Sequence, residues 1–174
     1  MREFMQQMYQ AVSEDDVDSF YDIEDSIKRG EIELSVEDIV PLCKLIIFDS
    51  EFIEYSQIIE IARMTLWAVE EENIKAGFQE LAKGLEEIYN EGIKDTWTNW
   101  YHASYKDFID IYIGVIICRY KEEDMVLFGE AISKSESIDF KSMMLQVLKR
   151  TMMREEETEG YIAKGKILEN SIKR

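Results

Sequence analysis

Apolar residues recur at intervals of three and four along most of the chain, the spacing that keeps them on one face of an α-helix. The clearest stripe runs from Ile74 through Phe78, Leu81 and Leu85 to Ile88. Helix breakers are rare, with 1 proline and 8 glycines among 174 residues. The pattern contains no convincing sheet, and it predicts an all-α protein.

Local signals predict where several of these helices begin and end. Lys28 and Arg29 precede Gly30, and cations in a last turn followed by glycine are typical of a helix C-terminus. Ser35 opens a short capping-box variant ahead of the next helix. Pro41 lies either in the first turn of that helix or at a kink within it, and we favour a short first turn before the proline.

The run FIDIYIGVIICRY, residues 108–120, is apolar on nearly every side and rich in β-branched residues. By itself it would suit a buried strand. Because the rest of the chain is helical, this run has no evident strand to pair with, and a central helix buried on all sides is the better interpretation. Together with it, we count about eight or nine predicted helices.

Turn signals near Asp49, Gly92 and Ser135 are 43 residues apart, which is close to the ~40–47-residue period of helical-pair repeats. This spacing predicts an irregular α-solenoid of HEAT-like helical pairs, and a compact helical bundle is the alternative. The length suits a single domain spanning residues 1–174. In this domain we expect residues 154–174 to form a peripheral C-terminal helix.

The charge of the chain is strongly one-sided, with 37 acidic against 20 basic residues and a formal net charge of −17. Such a field repels nucleic acid and anionic lipid, and it attracts basic partners. We therefore exclude nucleic-acid binding and expect a basic protein partner. Solubility of an acidic cytosolic protein is the other explanation for the same charge.

No catalytic signature accompanies this scaffold. His102 is the single histidine, it has no HExxH partner, and the residue three positions before it is Asn99 rather than glutamate. Cys43 and Cys118 each lie in an apolar run, and both are predicted to be buried. Residues 14–18 resemble a calcium loop only in their acidity, because the glycine that an EF-hand requires is missing. We expect no catalytic residue, no metal site and no cofactor.

The N-terminus MREFMQQMYQ lacks an apolar targeting segment. No apolar run approaches the ~20 residues that a membrane-spanning helix needs. We therefore expect a cytoplasmic protein whose cysteines remain reduced.

The stretch DTWTNWYHASY, residues 95–105, gathers two of the 3 tryptophans around the single histidine. Its aromatic residues share one helical stripe, which either packs against the helix ending at Tyr89 or forms part of a binding surface. Tryptophan and tyrosine dominate binding hot spots because they bury a large area at small entropic cost. Acids flank the stripe, and others are expected on the same edge of the fold. The predicted partner-binding residues are Trp97, Trp100, Tyr101, Tyr105, Asp95, Asp49, Glu51, Glu54 and Asp107.

One part of the chain resembles a known family. The succession from residue 37, EDIVPLCKLIIFDSEFIEYSQIIEIARMTLWAVEEENIKAGFQELAKGLEEIY, resembles all-helical immunity proteins of bacterial polymorphic-toxin systems in its helix order and acidity. The resemblance covers roughly residues 37–130. It implies a cytosolic antidote that binds and blocks one cognate toxin domain, often a nuclease, and it transfers no individual functional residue.

Three functional hypotheses follow. The first is an acidic inhibitor that binds a basic protein, with an immunity protein as the leading form. The second is a phage-type anti-defence protein that mimics the phosphate backbone of DNA. The third is a helical ligand-binding domain with a pocket near Trp97, Trp100 and His102.

Overall fold

The computed structural model describes residues 1–48, 55–70, 73–94, 105–154 and 158–174. Within these ranges the chain forms nine α-helices and one short 3-10 turn, Val36–Asp38, and no strand. The all-α prediction and the expected number of helices are confirmed. The helices are α1 (Glu3–Ser13), α2 (Val17–Lys28), α3 (Ile39–Phe48), α4 (Tyr55–Glu70), α5 (Ile74–Lys94), α6 (Tyr105–Arg119), α7 (Glu122–Ser133), α8 (Ile138–Met152) and α9 (Glu159–Ile172).

Helices that are two apart in chain order pack against each other. Helix α3 contacts α5, α5 contacts α7, and α7 contacts α9, while α4 contacts both α2 and α6, and α6 contacts α8. Successive helices such as α1 and α2 or α3 and α4 also contact each other. This order of contacts is the one expected when helical pairs stack along a chain. The superhelical geometry that would define a solenoid stays a prediction.

Capping residues explain several helix boundaries. Asp16 precedes α2 and accepts a hydrogen bond from the backbone N–H of Ser19 at 3.0 Å, so the acidic run before this helix serves as its N-terminus. Gly30 follows α2 with a φ of +73°, the left-handed conformation that glycine adopts at low cost. The Asp38 carboxylate accepts a hydrogen bond from the backbone N–H of Ser35 at 2.8 Å. This 3-10 turn then leads directly into α3.

The position predicted for Pro41 is confirmed, whereas the helix end predicted near Gly92 is not. Pro41 lies in the first turn of α3, where its missing N–H leaves no intrahelical bond unmade, and the short turn predicted ahead of it is present. The predicted stop at Gly92 is wrong, because α5 continues to Lys94. Glycine ends a helix when it adopts a positive φ, and among the glycines that the structure describes only Gly30 does so.

Helix α6 lies in the centre of the apolar core. Its buried residues include Phe108, Tyr112 and Ile116, and the prediction of a helix rather than a strand is confirmed. The prediction that this helix is buried on all sides is wrong, because Cys118 and Arg119 near its C-terminus are exposed. The prediction that both cysteines are buried holds for Cys43 and is wrong for Cys118, which is exposed. The reason is that residues 111, 115 and 118, spaced by four and three, lie on a less buried face of α6, which is partly buried at residues 111 and 115 and exposed at residue 118.

Close contacts between helices depend on glycine. A Cβ atom on Gly84 of α5 would lie 2.5 Å from the Cys43 Sγ of α3, so these two helices could not approach as they do with a larger residue. A Cβ atom on Gly129 of α7 would likewise lie too close to Ser171 of α9, and one on Gly165 of α9 would lie too close to Met152. The C-terminal helix is thereby packed closely on α7 and α8. None of the described helices is long and apolar enough to cross a membrane.

Candidate functional site

Most of the predicted partner-binding residues lie outside the part of the chain that the structure describes. These residues, together with the single histidine, are Asp49, Glu51, Glu54, Asp95, Trp97, Trp100, Tyr101 and His102. Tyr105 and Asp107 are described, and both make contacts within the domain. The binding role of the aromatic stretch therefore stays a prediction.

Tyr105 is partly buried and connects the start of α6 to two other helices. Its ring centroid lies 5.9 Å from that of Tyr89 in an edge-to-face arrangement, and Tyr89 lies 5.8 Å from Phe140 of α8. Such arrangements are favourable beyond the area that they bury. Tyr105, the last residue of the predicted aromatic stripe, thus packs against α5. For this residue the contact agrees with the interpretation that the stripe packs against the helix containing Tyr89.

Asp107 and the neighbouring acid Asp110 form ion pairs with α8 and the residues just after it. The Asp107 Oδ1 atom lies 3.2 Å from the guanidinium of Arg150. Asp110 is nearly buried, with 7 % of its side chain exposed, and it accepts short hydrogen bonds from Thr151 and Arg154. These two acids hold α6 against α8, and Asp107 is therefore already engaged with a cation of its own chain.

The strongest concentration of negative charge lies at the N-terminal end of the chain. Residues 1–40 contain twelve acidic and three basic residues, a net charge of −9 out of −17. Nine of the twelve acids are exposed. On α2 the exposed acids Asp18, Asp22 and Asp25 are spaced by four and three, so they form one stripe along the helix. We call this surface, residues 14–25 with their exposed acids, the α2 acidic surface.

The cations nearest to the α2 acidic surface bind chiefly to acids outside its exposed stripe. The Lys28 Nζ atom lies 2.7 Å from Glu24 Oε1 and 3.7 Å from Asp25 Oδ1, so its main partner is the buried acid. The Arg29 Nε atom lies 2.8 Å from Glu31 Oε1. The stripe therefore faces solvent with little neutralisation from its own helix.

A cleft between α1 and α2 adjoins this surface. It encloses about 310 Å³ and is lined by the carboxylates of Glu14, Asp16 and Asp22 and by the amides of Gln7 and Gln10. Hydrogen bonds from Ser19 hold the pKa of Asp16 below its usual range, so this carboxylate is ionised at neutral pH. Carboxylates and amide oxygens are acceptors, and they suit the guanidinium or ammonium group of a partner protein.

A second acidic feature is buried and was not predicted from the sequence. Glu24 of α2 has no exposed surface, and it faces Glu60 of α4. Burial first, and then the neighbouring Glu60 carboxyl, raise the pKa of Glu24 to about 7. Glu60 is itself bound by Arg63, whose guanidinium lies 2.6 Å from Glu60 Oε1. A helical period places Glu24 between Phe20 and Ile27 on the buried face, and this signal was available in the sequence.

The described residues offer little for catalysis. Burial raises the pKa of the Cys43 thiol to about 12, so it is not a thiolate nucleophile at neutral pH. Its neighbours are Tyr112 and Thr65, whose hydroxyl oxygens lie 3.1 Å apart in the core. Within the described ranges no three His, Cys, Asp or Glu side chains are arranged to hold a metal ion.

Comparisons of this chain with models of protein families, with curated proteins and with solved structures found no match.

Proposed function

We propose that this protein binds a basic protein partner and inhibits it, as an immunity protein that neutralises a cognate toxin. The observation that supports this function best is the charge asymmetry: more than half of the net charge lies in the first 40 residues, and most of those acids are exposed. An acidic surface of this kind steers a cationic partner during diffusional encounter, and raises association rates by about 10–10³-fold at low salt.

A toxin that acts on nucleic acid would provide the complementary surface. Such enzymes hold phosphates with lysine and arginine, so their active clefts are basic. The α1–α2 cleft, with three carboxylates and two amides, would receive one of these cationic side chains. The α2 acidic surface would provide the longer-range attraction.

The proposal is tested by co-expressing this protein with the product of the adjacent gene. We expect co-expression of the two to restore growth that the neighbour alone abolishes, and the purified pair to associate with a rate constant that falls steeply as salt is added. If the neighbour is not toxic, or if toxicity persists with both proteins present, the immunity proposal is wrong. Inhibition of several unrelated DNA-binding proteins would instead indicate mimicry of the phosphate backbone.

A charge-matched pair of variants locates the surface. The triple variant Asp18→Asn, Asp22→Asn, Asp25→Asn removes three exposed charges from α2, and Glu123→Gln, Glu136→Gln, Glu159→Gln removes three exposed charges from the C-terminal half. We expect the first to slow association several-fold at low salt and the second to have a much smaller effect. Equal effects would show that total charge matters and that the α2 acidic surface is not the contact.

A further inference from the structure

A small apolar cleft lies at the seam between α2, the loop that follows it and α4. It encloses about 240 Å³. Its apolar wall consists of Ile27, Ile32, Leu34 and Trp67. Ile27 and Leu34 are buried, whereas Ile32 and Trp67 are only partly buried. The cleft thus continues the apolar core to the surface of the domain.

The loop that forms one side of this cleft is fixed by polar contacts. The Arg2 guanidinium donates a hydrogen bond to the Glu33 carbonyl at 2.7 Å and another to the Asp38 carboxylate at 2.5 Å. On the opposite side, Lys28 is held by its ion pair with the buried Glu24. Since both sides are anchored, the cleft is formed before any partner arrives, and binding would cost little ordering of the loop.

The size of the cleft indicates what it binds. Sites for small molecules enclose ≈ 300–1,000 Å³ and surround most of the ligand. A volume of about 240 Å³ that is open to solvent lies below this range, and it suits one side chain of a larger molecule. Trp67 provides a large apolar surface with few rotatable bonds, which is the property of residues that dominate protein interfaces.

The charge around the cleft indicates the kind of partner. The cleft is lined by one exposed acid, Glu33, and by one cation, Lys28, which is paired with the buried Glu24. Two more exposed acids follow or precede it closely in the chain, Glu31, which is paired with Arg29, and Glu37 in the 3-10 turn. The whole N-terminal region carries −9. Because Lys28 is already paired and the region is net negative, an apolar residue flanked by lysine or arginine is favoured at this cleft. We infer that this cleft receives a single aromatic or large aliphatic side chain of the basic partner, with neighbouring cations on the rim acids. The inference rests on the proposed function and identifies the anchor point.

The test uses selection of peptides from a random dodecapeptide display library on the immobilised full-length protein. Selected peptides are expected to contain one aromatic or large aliphatic residue with at least two lysines or arginines within three positions. Trp67→Ala should reduce the affinity for a synthetic copy of the selected peptide about 30-fold or more, which is the effect typical of a hot-spot residue. Because Trp67 packs against the core, Ile32→Ser on the loop provides a second variant, and the melting temperature of each is measured alongside.

Rim charge is tested with a matched pair of substitutions. Glu33→Lys reverses an exposed charge at the cleft, and Glu136→Lys makes the same change on the loop between α7 and α8. The first is expected to reduce peptide affinity strongly, and the second only slightly. Selected peptides should also shift the NMR resonance of the Trp67 indole N–H, which Trp67→Phe identifies by its loss.

The possible results separate the two proposals. Basic peptides whose binding is unaffected by Trp67→Ala and Ile32→Ser would overturn the anchor site while leaving a basic partner supported. Peptides that need Trp67 but carry no cations would overturn the inference of a basic occupant and weaken the proposed function as well. Absence of any enriched peptide would overturn the anchor site, whereas the rescue of growth by co-expression would still decide the proposed function.

Discussion

The buried acid Glu24 should make the stability of this domain fall as pH rises toward neutrality. Its carboxyl has no exposed surface and lies between the cation of Lys28, 2.7 Å away on its own helix, and the carboxyl of Glu60 on α4. Asp25 and Arg63 are the other charged groups close to this cluster, bound to Lys28 and Glu60 respectively. Helix α2 contacts α4 at this seam, so ionisation of Glu24 acts on the junction between them.

The sign follows from the direction of the pKa shift. The pKa of Glu24 is about 7 in the folded protein and near 4.5 in an exposed glutamate. Between these values the folded state binds more protons than the unfolded state, so the free energy of unfolding decreases with rising pH. The stabilisation is complete below the unfolded value, and it is lost by the time pH exceeds the folded value. From pH 5.5 to pH 8.5, proton linkage predicts a loss of about 2 kcal/mol.

Glu24→Gln isolates this contribution, since glutamine has nearly the same shape and does not titrate. We expect the free energy of unfolding of the variant, minus that of the wild type, to rise by about 2 kcal/mol from pH 5.5 to pH 8.5. Urea unfolding followed by far-UV circular dichroism at constant salt measures this difference. Measurement above pH 5 also avoids the low solubility expected near the isoelectric point of about 4.4.

Asp25→Asn is the matched control, because Asp25 is an exposed neighbour on the same helix that contacts the same lysine at 3.7 Å. Its effect on stability should be nearly the same at both pH values. A difference between Glu24→Gln and wild type that does not change with pH would refute the reasoning. It would mean that Glu24 is ionised in the folded protein across the whole range.

Four further outcomes are expected from the packing. Gly84→Ala should destabilise the domain by about 1–3 kcal/mol in urea unfolding, because the new methyl group would lie 2.5 Å from Cys43 Sγ. A thiol reagent should modify Cys118 in the native protein, and Cys43 should react only after unfolding, since Cys118 is exposed and Cys43 is buried. Asp110→Ala should cost about 2 kcal/mol, because it removes charge-assisted hydrogen bonds at a nearly buried site. The half-exposed Asp107→Ala should cost less than about 1 kcal/mol.

Helix type and position were predictable where a local pattern decides them. The stripe from Ile74 to Ile88 needs only the helical period, and the residues Phe78, Leu81 and Leu85 within it are all buried in α5. The exclusion of a strand at residues 108–120 also succeeded, because the decision depended on the absence of a pairing partner elsewhere in the chain. The first of these features is determined by neighbouring residues, and the second by the helical pattern of the whole chain.

Contacts between distant residues were not predictable in the same way. Arg119 donates two hydrogen bonds to Glu70, at 2.7 and 2.8 Å, across 49 residues of sequence. The pairing holds the pKa of Glu70 below its usual range, yet nothing in the local pattern of either residue indicates it. Exposure of Cys118 is a similar case, because an apolar run predicts burial while the neighbouring helices determine which face is covered.

The two tryptophan-bearing regions offer a direct choice between contact surfaces. Trp67 lines a preformed cleft beside the acids of the N-terminal region, whereas Trp100 belongs to the aromatic stretch predicted from the sequence. If the partner anchors at the cleft, Trp67→Ala should weaken binding to the neighbour-encoded partner by about 30-fold or more, and Trp100→Ala should have little effect. If instead Trp100→Ala causes the larger loss while Trp67→Ala changes affinity slightly, the anchor lies in residues 95–105. In that case the acids of α2 would act only through long-range attraction, and their replacement would change the association rate without changing dissociation.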